Sequence, residues 1–267
     1  MAGTIRPLTP GDVPAGMRLS RLANWNQLED DWRYFAHGYV YEKAGQIVGT
    51  VAWLPFGPFT WLSMMLVDPA ERRTGIGSHL MEAALAELPD VCVRLDATPA
   101  GEPLYRQFGF VPEFSLCRAG RPAETPQISG VSKAIEPDDL PGIFALDREV
   151  FGADRSALLA SLHCRAPELA RISPDGASYC FGRPGSRYAQ IGPVVAASEA
   201  AARDLIASCA TAGPAVIDIP RQMPEWERWL ESAGFVMERP FLRMRRGENP
   251  SPGLPGRQYA IAGPELG

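Results

Sequence analysis

Residues 61–88 read WLSMMLVDPAERRTGIGSHLMEAALAEL: an apolar strand, a turn, a basic glycine-containing loop and a helix, in that order. Met64 to Val67 is an unbroken apolar run, as suits a strand buried on both faces. Asp68-Pro69 stops it, and Arg72, Arg73, Thr74, Gly75, Ile76, Gly77 and Ser78 follow. From Ile76 the spacing turns helical, with Ile76, Leu80, Ala83, Ala84 and Leu85 on one face. Gly75 and Gly77 let the backbone bend and let a ligand approach bare N–H groups. Those groups lie at a helix N-terminus, the positive end of its dipole, behind two arginines. The stretch reads as an anion cradle sized for a pyrophosphate.

The dinucleotide-binding fingerprint G-x-G-x-x-G needs its first glycine directly after the strand; here several residues intervene and Leu80 holds the third glycine position. A P-loop needs a lysine that this loop lacks. The plain alternative is a glycine-rich turn that only starts a helix. What remains is R-x-x-G-x-G after a strand ending V-D-P, and this resembles motif A of the GNAT superfamily of acyl-CoA-dependent N-acyltransferases.

The chain of 267 residues is 46% hydrophobic and 21% charged, which suits one large or two ordinary globular domains. A net charge of -5 and a pI near 5.4 argue against nucleic acid as the main partner. No apolar run approaches the ~18 residues of a membrane span, and the N-terminus lacks the pattern of a secretory signal. The odd set Cys92, Cys117, Cys164, Cys180 and Cys209 contains no C-x-x-C pair. Reduced thiols in a cytoplasm are therefore expected, with neither disulfides nor a zinc site. His37, His79 and His163 are scattered, so no metal is expected.

Thr4 to Pro7 reads as a short strand, and Thr9-Pro10-Gly11-Asp12 caps a helix through about Ala23. A second short helix spans Leu28 to Phe35, with Trp25, Asn26 and Gln27 in the loop between. Gly38 to Lys43 and Ile47 to Leu54 read as a hairpin. Val91 to Ala97 is a β-branched strand, and Glu102 to Phe108 a helix ended by Gly109. The string Pro103 to Phe110, PLYRQFGF, resembles GNAT motif B, roughly thirty residues past motif A.

After the Pro-rich stretch Arg121 to Gly130 the pattern restarts. AIEPDDLPG from Ala134 echoes IRPLTPGDVPAG, VIDIP at Val216 echoes VRLDATP, and WLESAGF at Trp229 echoes LYRQFGF. PFLRMRR parallels EFSLCRA, and Ser198 to Ala212 reads as an Ala-rich helix. The echoes point to a duplication with a period of roughly 130 residues. Where the first copy has R-R-T-G-I-G, the second has A-A-S-E-A-A at Ala196 to Ala201, and Trp229 or Leu230 stands in place of Tyr105. The expected fold class is α/β of the α+β mixed-sheet kind: two tandem GNAT-like domains, each a mostly antiparallel mixed sheet flanked by helices. The expected domains are 1–120, catalytic, and 131–267, degenerate with a tail, joined by a linker at 121–130. The second copy either completes the acceptor pocket, binds a regulatory ligand or is a buttress.

The resemblance implies transfer of an acetyl group from acetyl-CoA to a primary amine of a small molecule, by direct attack and without a metal. Arg72, Arg73, Thr74, Gly75, Ile76, Gly77 and Ser78 would hold the CoA phosphates. Met65, Leu66 and Val67 would pair with pantetheine, where the family has a β-bulge, and the Leu66 backbone N–H would face the thioester oxygen. Tyr105 would protonate the leaving thiolate, or else stack as a core tyrosine beneath the cofactor. For the base, Asp96, inside an apolar strand, competes with Glu29, Asp30, Asp31, His37 and a chain of waters. Trp25, Asn26, Gln27 and Asp30 would line the acceptor groove, although the tryptophan and the amides can equally anchor and cap the helix pair. The rival readings are a longer acyl group, acetylation of a protein amine, or a non-catalytic sensor of CoA or a metabolite. Neither nucleic acid nor membrane is an expected partner, and the chain is expected to be a monomer or homodimer.

Overall fold

A computed structural model describes residues 3–125, 128–209 and 213–267. The first half runs β1 (Thr4–Pro7), α1 (Val13–Leu22), α2 (Glu29–Trp32), β2 (His37–Lys43), β3 (Gln46–Pro55), β4 (Phe59–Val67), α3 (Ile76–Ala86), β5 (Cys92–Ala97), α4 (Glu102–Gln107) and β6 (Val111–Arg121). Ala44 and Gly45, both at positive φ, make the tight turn of the β2–β3 hairpin. The α3 helix carries β4 over to β5 as a parallel neighbour; the other strand pairs of this half are antiparallel.

The second half repeats the order element for element. It runs β7 (Lys133–Ala134), α5 (Leu140–Phe151), α6 (Ser156–Arg165), β8 (Arg171–Ile172), β9 (Tyr179–Arg183), β10 (Ala189–Val195), α7 (Glu199–Cys209), β11 (Ala215–Pro220), α8 (Pro224–Ser232) and β12 (Val236–Arg246). The expected continuation of α7 to Ala212 lies outside the described residues, as do residues 126–127 of the expected linker. A last strand, β13 (Gln258–Ala260), has no counterpart in the first half.

The two halves do not form separate sheets. One sheet runs in the order β1-β2-β3-β4-β5-β12-β6-β11-β10-β9-β8-β7. The last strand of each half has crossed to the other: β12 pairs with β5, β6 pairs with β11, and the two crossing strands pair with each other. Each crossing strand carries an arginine opposite an aspartate of the receiving half. Arg243 on β12 faces Asp96 on β5, and Arg118 on β6 faces Asp218 on β11. The equivalence of the strands runs from Val111 with Val236. Arg118 therefore matches Arg243, a shift of two from the parallel drawn between EFSLCRA and PFLRMRR.

The cores follow this interlock. One cluster packs α3 and α4 on the first half through Ile76, Leu80, Ala84 and Phe110. A second packs α7 and α8 on the second half through Leu205, Ile206, Trp226 and Leu230. A third belongs to both halves, with Trp32 and Phe35 meeting Ile143, Leu159, Leu162 and the tail residues Ala262 and Leu266. The tail is thus packed across the junction, with Gln258 to Ala262 and Leu266 buried. No helix among the described residues is long and apolar enough to cross a membrane.

Candidate active site

The glycine-rich loop has the shape its residues suggest. Arg73 and Gly75 adopt positive φ, 63° and 89°, and Gly75 is the residue before α3. The first N–H after Gly75 to turn inward is that of His79, which bonds to the Gly75 carbonyl at 3.0 Å. Those of Ile76, Gly77 and Ser78 belong to the open first turn of the helix. Arg72, Arg73, Thr74 and Gly75 are exposed, and the Thr74 hydroxyl holds the loop closed on the Glu71 carbonyl at 2.6 Å. A side chain at Gly77 would meet Leu104 of α4 at 3.2 Å, so glycine also lets the two helices approach.

Beside the loop the sheet opens. β4 and β5 pair only over Phe59–Trp61 and Cys92–Arg94. Beyond Trp61, no described strand covers that edge of β4. The cause is a bulge: the β3–β4 register slips between Thr50↔Leu66 and Ala52↔Ser63, and Met64 sits at φ 50°. The buried Thr50 hydroxyl donates to the Met64 carbonyl at 2.7 Å, giving that bulged carbonyl a partner.

The opening leads into a cavity walled by both halves. From the first come Trp25, Asn26, Gln27, Ser63, Met64, Met65, Asp96 and Tyr105. From across the junction come Arg118, Arg183, Gln190, Arg239, Phe241 and Glu265. Of the sequence-predicted site residues, Trp25, Asn26, Gln27, Met65, Asp96 and Tyr105 therefore meet in one place. Leu66 and Val67 continue the open edge of β4 towards the loop. Asp30 is not among the lining residues; it is exposed and pairs with Arg33 at 2.9 Å.

Tyr105 is buried and packs edge-on against Phe110. Burial pushes its phenol well above the ordinary tyrosine range, so it stays protonated. The Asp96 side chain is fully buried and accepts from both Arg243 Nε (2.8 Å) and Arg243 Nη2 (2.9 Å). Burial pushes its carboxyl up, opposed by the charge and hydrogen bonds of Arg243. Asn26 spends its amide on the second half: Nδ2 donates to the Tyr188 carbonyl (3.0 Å), and Oδ1 accepts from the Arg187 and Tyr188 N–H groups. Gln27 Nε2 reaches Glu265 at 3.3 Å, while Gln27 Oε1 and Ser63 Oγ are buried with no protein partner. Arg183 lies 2.8 Å from Asp31 and also pairs with Glu265. Among the described residues no group of three or more His, Cys, Asp or Glu side chains could hold a metal.

The second half shows the same opening, closed. β10 and β11 pair over Ala189–Ile191 and then part, as β4 and β5 do. Here β13 fills the gap, pairing Ala260 with Val194 and Gln258 with Val195, while the Ile261 N–H bonds to the Asp218 carbonyl. The loop leading into α7 is engaged too: the Ala196 and Ala197 N–H groups bond to the Arg257 carbonyl and the Ser178 hydroxyl, and the Ala201 N–H to the Ser198 hydroxyl. Ser198 takes the place of Gly75, since the Ala202 N–H bonds to its carbonyl as that of His79 does to Gly75. Leu230, not Trp229, matches Tyr105: the Phe235 N–H bonds to the Leu230 carbonyl as that of Phe110 does to Tyr105.

The cavity residues of the second half escaped the sequence reading, although Arg183, Gln190 and Glu265 are each a polar or charged residue inside an apolar strand or tail. Arg183 in YCFGR and Glu265 after ten largely apolar residues carried the visible signal.

Comparison with known proteins gives one coherent answer. Two family models, each described as an acetyltransferase (GNAT) domain, match residues 35–112 and 143–260, together most of the chain. A Bacillus subtilis (strain 168) protein called "Uncharacterized N-acetyltransferase YitH" is 29% identical over 94% of this chain and 94% of its own. A crystal structure from Pyrococcus horikoshii described as "A Putative Acetyltransferase" superposes with TM-score 0.84, at 22% identity over 100% of this chain and 96% of that one. A tandem GNAT protein from the clavulanic acid biosynthesis pathway superposes with TM-score 0.64, at 17% identity over 91% of this chain and 98% of its own.

Proposed function

The chain is a tandem member of the GNAT superfamily of acetyltransferases, and from that premise we propose that it moves an acetyl group from acetyl-CoA to a primary amine of a small molecule. The observation that carries this reading is the continuity of three features. The exposed cradle at the start of α3, the uncovered edge of β4 and the two-sided cavity adjoin one another. CoA phosphates lie on the open N–H groups of α3 with Arg72 and Arg73 nearby. Pantetheine pairs along Met65 to Val67, which delivers the thioester to the cavity mouth.

The reaction proceeds by direct attack. The amine nitrogen forms a bond to the thioester carbon, the C–S bond breaks, and Tyr105 gives its proton to the departing thiolate. A main-chain N–H near Leu66 stabilises the oxyanion. Asp96 has both oxygens engaged by Arg243, and Asp218 is engaged in the same way by Arg118 in a half without a cradle. We therefore assign the Asp96 pair to holding the halves together, and removal of the amine proton to water in the cavity.

The cavity favours a small acceptor over a protein chain, because residues of β12, β9, β10 and the tail wall it together with those of the first half. Residues 1–120 supply the cofactor site, and 131–267 supply part of the acceptor-cavity wall. A screen of primary amines with acetyl-CoA, following release of free CoA thiol, tests the reading. Turnover of at least one small amine is expected. Binding of acetyl-CoA with no thiol release across the panel would instead favour a sensor.

A further inference from the structure

Within the cavity wall one arginine among the described residues makes no ion pair. Arg239 on β12 is half-buried and stacks its guanidinium 4.7 Å from the Phe241 ring centroid. No carboxylate of the described residues lies within ion-pair distance of it. The other arginines here are committed: Arg118 to Asp218, Arg183 to Asp31 and Glu265, and Arg243 to Asp96.

Its placement is electrostatically unfavourable. In the β6–β12 register Arg239 stands directly opposite Arg118, and like charges in that position repel. Burial, with the charge of Arg118 added, pushes the Arg239 guanidinium below its ordinary pKa, opposed by the more distant carboxylates of Asp218, Glu238 and Glu265. A register slip between Met237 and Arg239 marks a bulge that turns the arginine relative to a regular ladder. The strand exchange does not require a charge here, since the equivalent residue of β6 is Phe114. Both faults, the repulsion and the missing partner, are relieved by an anion in the cavity. The same cavity also holds two buried acceptors without partners, Gln27 Oε1 and Ser63 Oγ, suited to an ammonium or hydroxyl group.

We propose that the acceptor carries an anionic group, a carboxylate or phosphate, in addition to its amine, and that Arg239 of the second half binds it and so sets specificity. The proposal rests on the acetyltransferase reading above. It also explains what the second half contributes. Its crossing strand supplies the acceptor's anion site, while its own cofactor cleft is filled by β13.

The test uses the full chain, acetyl-CoA and three matched pairs of amines: ethanolamine with O-phosphoethanolamine, butylamine with 4-aminobutyrate, and glucosamine with glucosamine 6-phosphate. Release of CoA thiol gives kcat/KM, and calorimetric titration in the presence of CoA gives binding. In at least one pair the anionic member is expected to be favoured about tenfold or more, as charge-assisted hydrogen bonds allow. Whether the phosphate or carboxylate pairs show it identifies the anion. Arg239→Gln should bring that ratio to about one, and Arg239→Lys should leave it in between, because lysine keeps the charge without the planar fork. The inference is overturned if neutral members are favoured in every pair, if the preference persists in Arg239→Gln, or if no anionic member binds. Turnover of neutral amines under those outcomes would leave the acetyltransferase reading standing. Failure to bind acetyl-CoA would remove that reading itself.

Discussion

Arg243 reaches from the second half of the chain to clasp Asp96 of the first, with hydrogen bonds of 2.8 and 2.9 Å to its two carboxylate oxygens. Arg118 does the same in reverse, reaching Asp218 at 2.9 and 2.7 Å. The two pairs stand in the strands that the halves exchange, so they tie the halves together where the sheet is continuous.

Asp96→Asn should therefore act first on folding. It leaves a buried guanidinium without its counter-charge, which costs about 3–5 kcal/mol. The double change Asp96→Leu with Arg243→Met should recover most of that stability in chemical denaturation. Turnover retained by the double variant would confirm that Asp96 is not the base. Full stability with no turnover in Asp96→Asn would mark it as one.

Thr50→Val keeps the shape of the side chain and removes the donor to the Met64 carbonyl. An unpartnered buried carbonyl costs about 1–3 kcal/mol, readable as a lower denaturation midpoint. Because that bond steadies the bulge, acetyl-CoA should also bind more weakly to this variant in calorimetry. Unchanged affinity would show that the bulge holds its form without Thr50.

One CoA should bind per chain. Gly75→Val meets a φ of 89° that a β-branched residue adopts only with strain, and Gly77→Leu collides with Leu104. The pair of changes should abolish binding in equilibrium dialysis. Stoichiometric binding that survives them would place CoA in the second half, against the β13 plug.

Tyr105→Phe should lower kcat about 100-fold or more while leaving the KM for acetyl-CoA close to its starting value. Burial raises the phenol's pKa, so the acid form persists through the ordinary tyrosine range near ~10. In the parent enzyme, loss of the Tyr105 proton should accordingly cause no fall in rate below that pH. A turnover and pH profile identical to the parent's would remove Tyr105 from the proton transfer.

Much of this protein was legible without coordinates, for a local reason. The cradle, the helix behind it and the tyrosine helix are set by residues close in the chain: Arg72 to Ser78 by turn geometry, and Leu104 to Phe110 by helical spacing ended with Gly109. The duplication was visible because both copies keep strand and turn patterns, even where the second has lost its arginines and glycines. The exchange of β6 and β12 was not legible, because either pairing buries the same strand faces, and nothing local distinguishes a strand's own sheet from its neighbour's. The acceptor pocket inherits that blindness. From sequence Asn26 fits a groove residue or a cap equally; it lines the cavity while its amide latches Arg187 and Tyr188. The sequence reading singles out neither Arg239 nor Glu265. Their roles arise from contacts between residues more than a hundred positions apart, which only the tertiary structure brings into one cavity.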